Sequence, residues 1–244
     1  MNATSSPVML SPNPPPPFNG PIELVRMIFD TAAQEDKRTA STLMSLCRTT
    51  RDWNAPIVYE NVVLDNRRAA RFTDVSSKGS NTPLHNVKNL KIDCMPGGDA
   101  AFAGLCPSVE TLTIANYDLH DLPRLAQNMG RLQKVNVKGC MRYAGGVSGV
   151  GMEHVMQLTF EDDVPRLEQT FMDRMRSLIH FQCKFVRSKK TMYEELDRCL
   201  EIVLNCDRLK KVVIVCSPAD EAYLKQRIAL WTDGRISCII NGRR

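Results

Sequence analysis

The stretch Leu132-Gln133-Lys134-Val135-Asn136-Val137-Lys138-Gly139-Cys140 places apolar side chains at 132, 135 and 137 with polar ones between them. Alternation with a period of two is the mark of a strand that buries one face. The same spacing recurs along the chain: apolar, two residues, apolar, one residue, apolar. It reads Val87-Leu90-Ile92 and Val109-Leu112-Ile114 before this stretch. After it come Val155-Leu158-Phe160, Leu178-Phe181-Cys183 and Leu209-Val212-Ile214. Tyr59-Val62-Leu64 is an early copy and Ile236-Ile239 a weak last one. Successive starts are 28, 22, 23, 23, 23, 31 and 27 residues apart. Such near-equal intervals mark a structural repeat.

One short strand cannot bury its apolar side alone, so neighbours must stack. Between the strands lie stripes at helical spacing. They are Leu119, Leu122, Leu125 and Met129; Leu167, Phe171 and Met175; and Met192, Leu196, Cys199, Leu200 and Val203. A fourth opens at Ser217-Pro218 and carries Ala222, Leu224, Ile228 and Leu230. Short strands alternating with helices predict an α/β fold with parallel strands and outer helices. The period lies within the 20–29 residues of leucine-rich repeats, and Leu132 to Cys140 fits that template through its terminal Cys. The domain over 61–244 thus resembles a degenerate leucine-rich-repeat horseshoe solenoid.

In such a layer, residues between the buried positions point to the opposite, concave face. Asn89, Lys91, Asp93, Thr111, Thr113 and Ala115 take these positions, followed by Lys134, Asn136 and Lys138. Further along come Gln157, Thr159 and Glu161, then His180, Gln182 and Lys184, then Lys211. The set is polar and mixed in sign, with Lys slightly in excess. It is the candidate surface for a target protein.

The first 18 residues are rich in Pro and poor in apolar side chains, the composition of a disordered lead. From 19 to 60 the pattern turns helical. Pro21 suits a first helical position and Glu23 a first turn. Leu24, Val25, Ile28, Phe29 and Ala32 then follow at helical spacing. The charged run Gln34 to Arg38 interrupts them. Thr39 or Ser41 is predicted to cap a second helix with Leu43, Leu46, Cys47 and Thr50 on one face. Trp53, Pro56, Ile57 and Tyr59 close the segment.

Pro21-Ile22-Glu23-Leu24 with Ile28-Phe29, then Leu46-Cys47-Arg48 with Arg51, then Pro56 and Tyr59, resembles an F-box of the kind common in fungal proteins. Gly20 stands where that family usually has an aliphatic residue, and Thr50 where it usually has a large aromatic, with Trp53 close by. The resemblance implies a short helical module, 19–60, that docks to a Skp-type linker protein and through it to a cullin. Pro21, Ile22, Glu23, Leu24, Ile28, Phe29, Leu43, Leu46, Cys47 and Trp53 are then the linker-binding residues. An F-box followed by such repeats resembles a non-catalytic substrate receptor of an SCF-type ubiquitin ligase. Without that resemblance, the helices read as an end cap on a stand-alone interaction scaffold.

Composition narrows the alternatives. The chain has 244 residues, 43% apolar and 24% charged, with a net charge of +5, which fits a globular protein. No apolar run approaches the ~18 residues that span a bilayer. The first 20 residues lack Lys and Arg, so neither a secretory nor a transit peptide is expected. Nine cysteines, an odd number without Cys-x-x-Cys spacing, point to a reducing, intracellular setting, cytoplasm or nucleus. Cys47, Cys94, Cys199, Cys216 and Cys238 read as small core residues.

No cofactor, metal or catalytic motif emerges. Gly-x-Ser-x-Gly is absent, and the glycine run 145–151 has neither nucleotide-binding spacing. Glu161-Asp162-Asp163 reads as a solvated turn. The basic pairs Lys189-Lys190, Lys210-Lys211 and Arg243-Arg244 are scattered and lack aromatic neighbours, so no nucleic-acid partner is expected. His180 has no identifiable nucleophile beside it.

Overall fold

The computed structural model describes residues 21–65, 68, 84–93, 105–115, 122–139, 151–162, 164–185, 192–231 and 233–240. Expectations placed on Gly20, Cys94, Leu119, Cys140, 145–150, Asp163, 189–190 and 243–244 lie outside them. The chain divides between Asn54 and Ala55 into two compact units.

The first unit is helical. Helix α1 (Ile22–Glu35) starts directly after Pro21, with Glu23 in its first turn. Its inner side carries the buried Ala33, with Val25, Phe29 and Ala32 half-buried, and packs against α2 (Lys37–Leu43) through the buried Ala40. The turn between them is held by Asp36, not by Thr39 or Ser41. Its carboxylate accepts from the backbone N–H groups of Arg38 and Thr39, both at 3.1 Å. These two bonds to the charged form lower the Asp36 pKa. The predicted single face from Leu43 to Thr50 is broken, because α2 ends at Leu43 and α3 (Arg48–Tyr59) begins five residues later.

Thr50 makes that corner. It is buried, its hydroxyl donates to the Leu43 carbonyl at 2.7 Å, and it accepts from the Cys47 N–H at 3.2 Å. A large aromatic would make neither bond. Cys47 itself is exposed, which corrects its reading as a core residue.

The second unit is an open sheet of eight strands, all parallel, whose spatial order repeats the chain order without reversal. The strands are β1 (Asn61–Asp65), β2 (Asn89–Asp93), β3 (Thr111–Ala115), β4 (Lys134–Lys138), β5 (Gln157–Phe160), β6 (His180–Lys184), β7 (Lys211–Cys216) and β8 (Ile236–Ile240). The helices are α4 (Leu122–Ala126), α5 (Gln169–Met172), α6 (Met192–Leu204) and α7 (Glu221–Ala229). Their buried residues, Leu125, Phe171, Leu200 and Leu224 among them, share one apolar core with Leu90, Leu112, Val135, Leu158, Phe181 and Val212 of the strands. The strands are joined through long crossovers, as parallel pairing requires, and helices cover one face only, so the sheet departs from the usual parallel sheet that is buried on both faces.

Register is uniform. Val62, Leu90, Leu112, Val135, Leu158, Phe181 and Val212 pair in one row. The last copy is out of phase with the sequence expectation. Ile236, not Ile239, pairs with Val212, so the pattern position of Leu209 falls on Asp233, and Ile239 is exposed on the other face. The helices are also shorter than their stripes. Met129, Leu167 and Met175 are buried but lie outside α4 and α5, and Leu230 is exposed just past α7.

One further position escaped the sequence pattern. Leu84, Cys106, Met129, Met152, Met175 and Cys206 each precede a repeat by three residues, and each carbonyl accepts from the N–H of the pattern's first residue at 2.9–3.3 Å. All but the half-buried Cys206 are fully buried. A tight turn with a buried anchor therefore launches each strand from β2 to β7.

Two substitutions test these assignments. Thr50→Val keeps the shape but removes two hydrogen bonds of the half-buried corner, and is expected to destabilise the helical unit by about 1–3 kcal/mol. Leu158→Ala, in a central strand, is expected to cost about 2–5 kcal/mol. Urea unfolding read by circular dichroism measures both, and Thr50→Ser should restore most of the first loss.

Candidate binding surfaces

In the helical unit, Leu24, Met27 and Ile28 follow at i, i+3 and i+4, so they form a stripe on α1 turned away from Val25 and Phe29. They are 51%, 63% and 59% exposed, and Leu46 in the α2–α3 turn is 61% exposed. Ile22 is exposed as well. Of the other residues singled out in the sequence, Pro21, Glu23 and Cys47 are exposed, whereas Phe29, Leu43 and Trp53 are half-buried. Met27 was missed. Its spacing from Leu24 and Ile28 was the available signal. The Cys47 thiol pKa is lowered by its hydrogen bonding with Thr50.

In the sheet unit, the face opposite the helices presents three rows set by register. Asn61, Asn89, Thr111 and Lys134 begin the first row, and Gln157, His180 and Lys211 complete it. Lys91, Thr113, Asn136 and Gln182 lie in the second, and Asp65, Asp93, Lys138 and Lys184 in the third. Neighbouring rungs bond laterally. The Asn89 amide donates to Asn61 Oδ1 at 2.8 Å, and the Asn136 amide to the Thr113 hydroxyl at 3.3 Å.

The face is not polar throughout. Ala115 and Thr159 are buried, so neither is a contact residue. At β7 the second and third rows turn apolar with the buried Val213 and the half-buried Val215, and at β8 the third row keeps the exposed Ile239 while the second returns to Ser237. The continuous apolar run Val212–Val215 is the sequence signal for that change.

Charge is distributed unevenly. Lys138 pairs with Glu161 at 2.5 Å, and this carboxylate raises the Lys138 pKa. Asp162 accepts from the Gly139 N–H at 2.6 Å, so two carboxylates read as a solvated turn bind the end of β4 instead. His180 is held below the usual histidine value of 6.5, first by burial and then by the Lys211 ammonium. Its Nε2 is buried and without a hydrogen-bond partner.

Other chemistry is sparse. An open cleft of about 590 Å³ is lined by Glu153, His154, Asp173, Arg176, Cys206 and Asp207, among others. Burial pushes the Cys206 thiol up to about 11, so it stays protonated at neutral pH. Among the described residues no group of three or more His, Cys, Asp or Glu is placed to hold a metal ion. No described helix is long and apolar enough to cross a membrane. Compared with known proteins, the chain matches no family model and no curated sequence.

The depressed His180 pKa fixes a pH dependence. Protonation is disfavoured in the folded chain relative to the unfolded one, so His180 contributes stability that is present above the ordinary histidine pKa. That contribution is lost as pH falls through the folded value. Proton NMR of the imidazole should show it titrating below 6.5, and His180→Gln should flatten the stability profile between neutral and mildly acid pH.

Proposed function

We propose that the chain is a non-catalytic adaptor whose helical unit docks to one partner while the open sheet face holds another. The resemblance of the helical unit to an F-box names the first partner as a Skp-type linker, joined to a cullin. The resemblance of the second unit to a degenerate leucine-rich-repeat horseshoe makes its concave face a surface for a target protein. Together they give a substrate receptor of an SCF-type ubiquitin ligase, working inside the cell.

The observation that carries this reading is the stripe of Leu24, Met27 and Ile28 with Leu46, four large apolar side chains each more than half exposed. Their neighbours Val25, Phe29 and Ala33 already supply the helix's own packing. A second apolar stripe on a short helix has no use in the fold of that helix, and an unpaired apolar cluster of this kind marks a protein interface.

The experiment is a pull-down of the full chain with a recombinant Skp-type linker. Leu24→Lys with Ile28→Lys changes two exposed residues and spares the half-buried Phe29. It should weaken linker binding by about a hundredfold or more, as loss of two interface anchors does, with circular dichroism unchanged. A folded wild-type chain that does not bind the linker would leave only a repeat scaffold, and the ligase reading would fall. Binding retained by the folded double variant would place the linker site elsewhere.

A further inference from the structure

We propose that the β4–β7 half of the open sheet face holds an acidic peptide segment, laid across the strands so that its carboxylates meet Lys134 and Lys211. This rests on the reading of that face as the target surface and gives the chemistry of what it takes.

Charge complementarity argues for it. In the first row from β4 to β7, the residues are Lys134, Gln157, His180 and Lys211, with no carboxylate in register. Lys134 and Lys211 are exposed, and among the described residues neither is ion-paired, whereas Lys138 is already neutralised by Glu161. Acid on this face lies outside that row: Glu161 after β5 is taken up by Lys138, and Asp65 and Asp93 lie at the other end on β1 and β2, with Asp65 paired to Arg68. The positive charge of the first row is therefore confined to β4–β7, since Asn61, Asn89 and Thr111 fill it at β1–β3.

His180 supplies a second reason. Its row neighbours are the neutral Gln157 on β5 and the cationic Lys211 on β7, with Gln182 and Lys184 following on its own strand. Its buried Nε2 lacks a partner. A carboxylate seated between His180 and Lys211 would accept from the imidazole once the half-buried ring turns its Nε2 to the face, and would offset the ammonium that opposes its protonation. Binding would then take up a proton.

Geometry sets the spacing. Adjacent strands lie about 4.8 Å apart, so Lys134 and Lys211, three strands apart, are separated by roughly 14 Å. An extended peptide advances about 3.4 Å per residue and repeats its side-chain direction every second residue, so acidic residues at i and i+4 match the two lysines on one face. Half-exposed Asn136 and Gln182 lie beside this row, where their amides can bond a peptide backbone. A single-stranded nucleic acid would carry the same sign of charge, but it needs aromatic platforms for its bases. The imidazole of His180 is the one aromatic ring on this half of the face among the described residues.

The test uses the full chain and labelled peptides of Gly and Ser about twelve residues long, with Glu, Lys or no charge at every fourth position. An oligouridylate of similar length serves as a further probe. Fluorescence anisotropy should show binding of the Glu peptide alone, weakened about fivefold or more by Lys134→Ala with Lys211→Ala at an unchanged Tm, and weakened by added salt. The imidazole of His180 should titrate at higher pH with the Glu peptide bound. Glu-peptide binding that ignores the double variant, or tighter binding of the oligouridylate, overturns the proposal. Binding of the uncharged peptide that Asn136→Arg abolishes overturns the acidic assignment while leaving the face a target surface. Failure of every peptide overturns both.

Discussion

The sheet depends on one repeated backbone arrangement. The carbonyl ahead of each strand from β1 to β6 accepts two N–H groups from the start of the strand that follows. Glu60 receives Lys88 and Asn89, Lys88 receives Glu110 and Thr111, and the series continues through Glu110, Gln133, Met156 and Ile179 at 2.8–3.1 Å. Just upstream, each strand from β2 to β7 is launched by a tight turn over an apolar residue, buried in all but the half-buried Cys206. The ladder and the turn together fix where each strand starts. Because side chains alternate, a slip of one residue would exchange the core face for the open face along a whole strand. Uniform register from β1 to β7 is therefore what keeps Leu90, Leu112, Val135 and Leu158 inside and the lysines outside. The intervals of 28 and 31 residues disturb nothing, since added length enters the crossovers and not the ladder.

Much of this was legible. The apolar spacing located the strands and assigned the two faces, because a half-buried strand has to alternate. Three features were not. The last strand reads three residues late from the sequence, since four of the five residues Ile236-Ser237-Cys238-Ile239-Ile240 are apolar and offer no clear phase, while the first position of the repeat falls on Asp233, a polar residue. The anchors Met129 and Met175 extend the helical stripes of Leu125 and Phe171, because a residue three before a strand is equally at home at helical spacing, and Met152 stands outside either pattern. Thr50 looked like a defect in an apolar face. Its two hydrogen bonds across the α2–α3 corner form only when the helix is broken between Leu43 and Arg48, and no local pattern announced that break.

The candidate surfaces were legible to different degrees for the same reason. Positions on the open face follow from register, so they could be named once the repeat was seen. What could not be named was which of them are occupied by other side chains. Thr159 sits under its neighbours, Lys138 is taken by Glu161, and Val213 ends the polar row. On α1, Leu24 and Ile28 share the sequence spacing of Val25 and Phe29, and periodicity alone does not say which of two apolar stripes faces the core. The small Ala33 and Ala40 decide it, because they let α1 and α2 approach closely on one side only.

These constraints leave the open face unusually independent of the fold. Strand pairing is carried by backbone groups, and the core by side chains on the opposite face. The first-row positions 134, 157, 180 and 211 therefore answer to neither, and a change there alters charge at small cost in stability. A basic first row at β4–β7 is not required by packing, since Asn61, Asn89 and Thr111 fill the same row at β1–β3 without charge. His180 is the exception that constrains the reading. Leaving a half-buried imidazole next to Lys211, with Nε2 unpartnered, costs free energy in the unoccupied chain. Where backbone and core make no demand for it, such a cost is expected where a ligand completes the site, and an anion is the ligand that satisfies both the free nitrogen and the neighbouring ammonium.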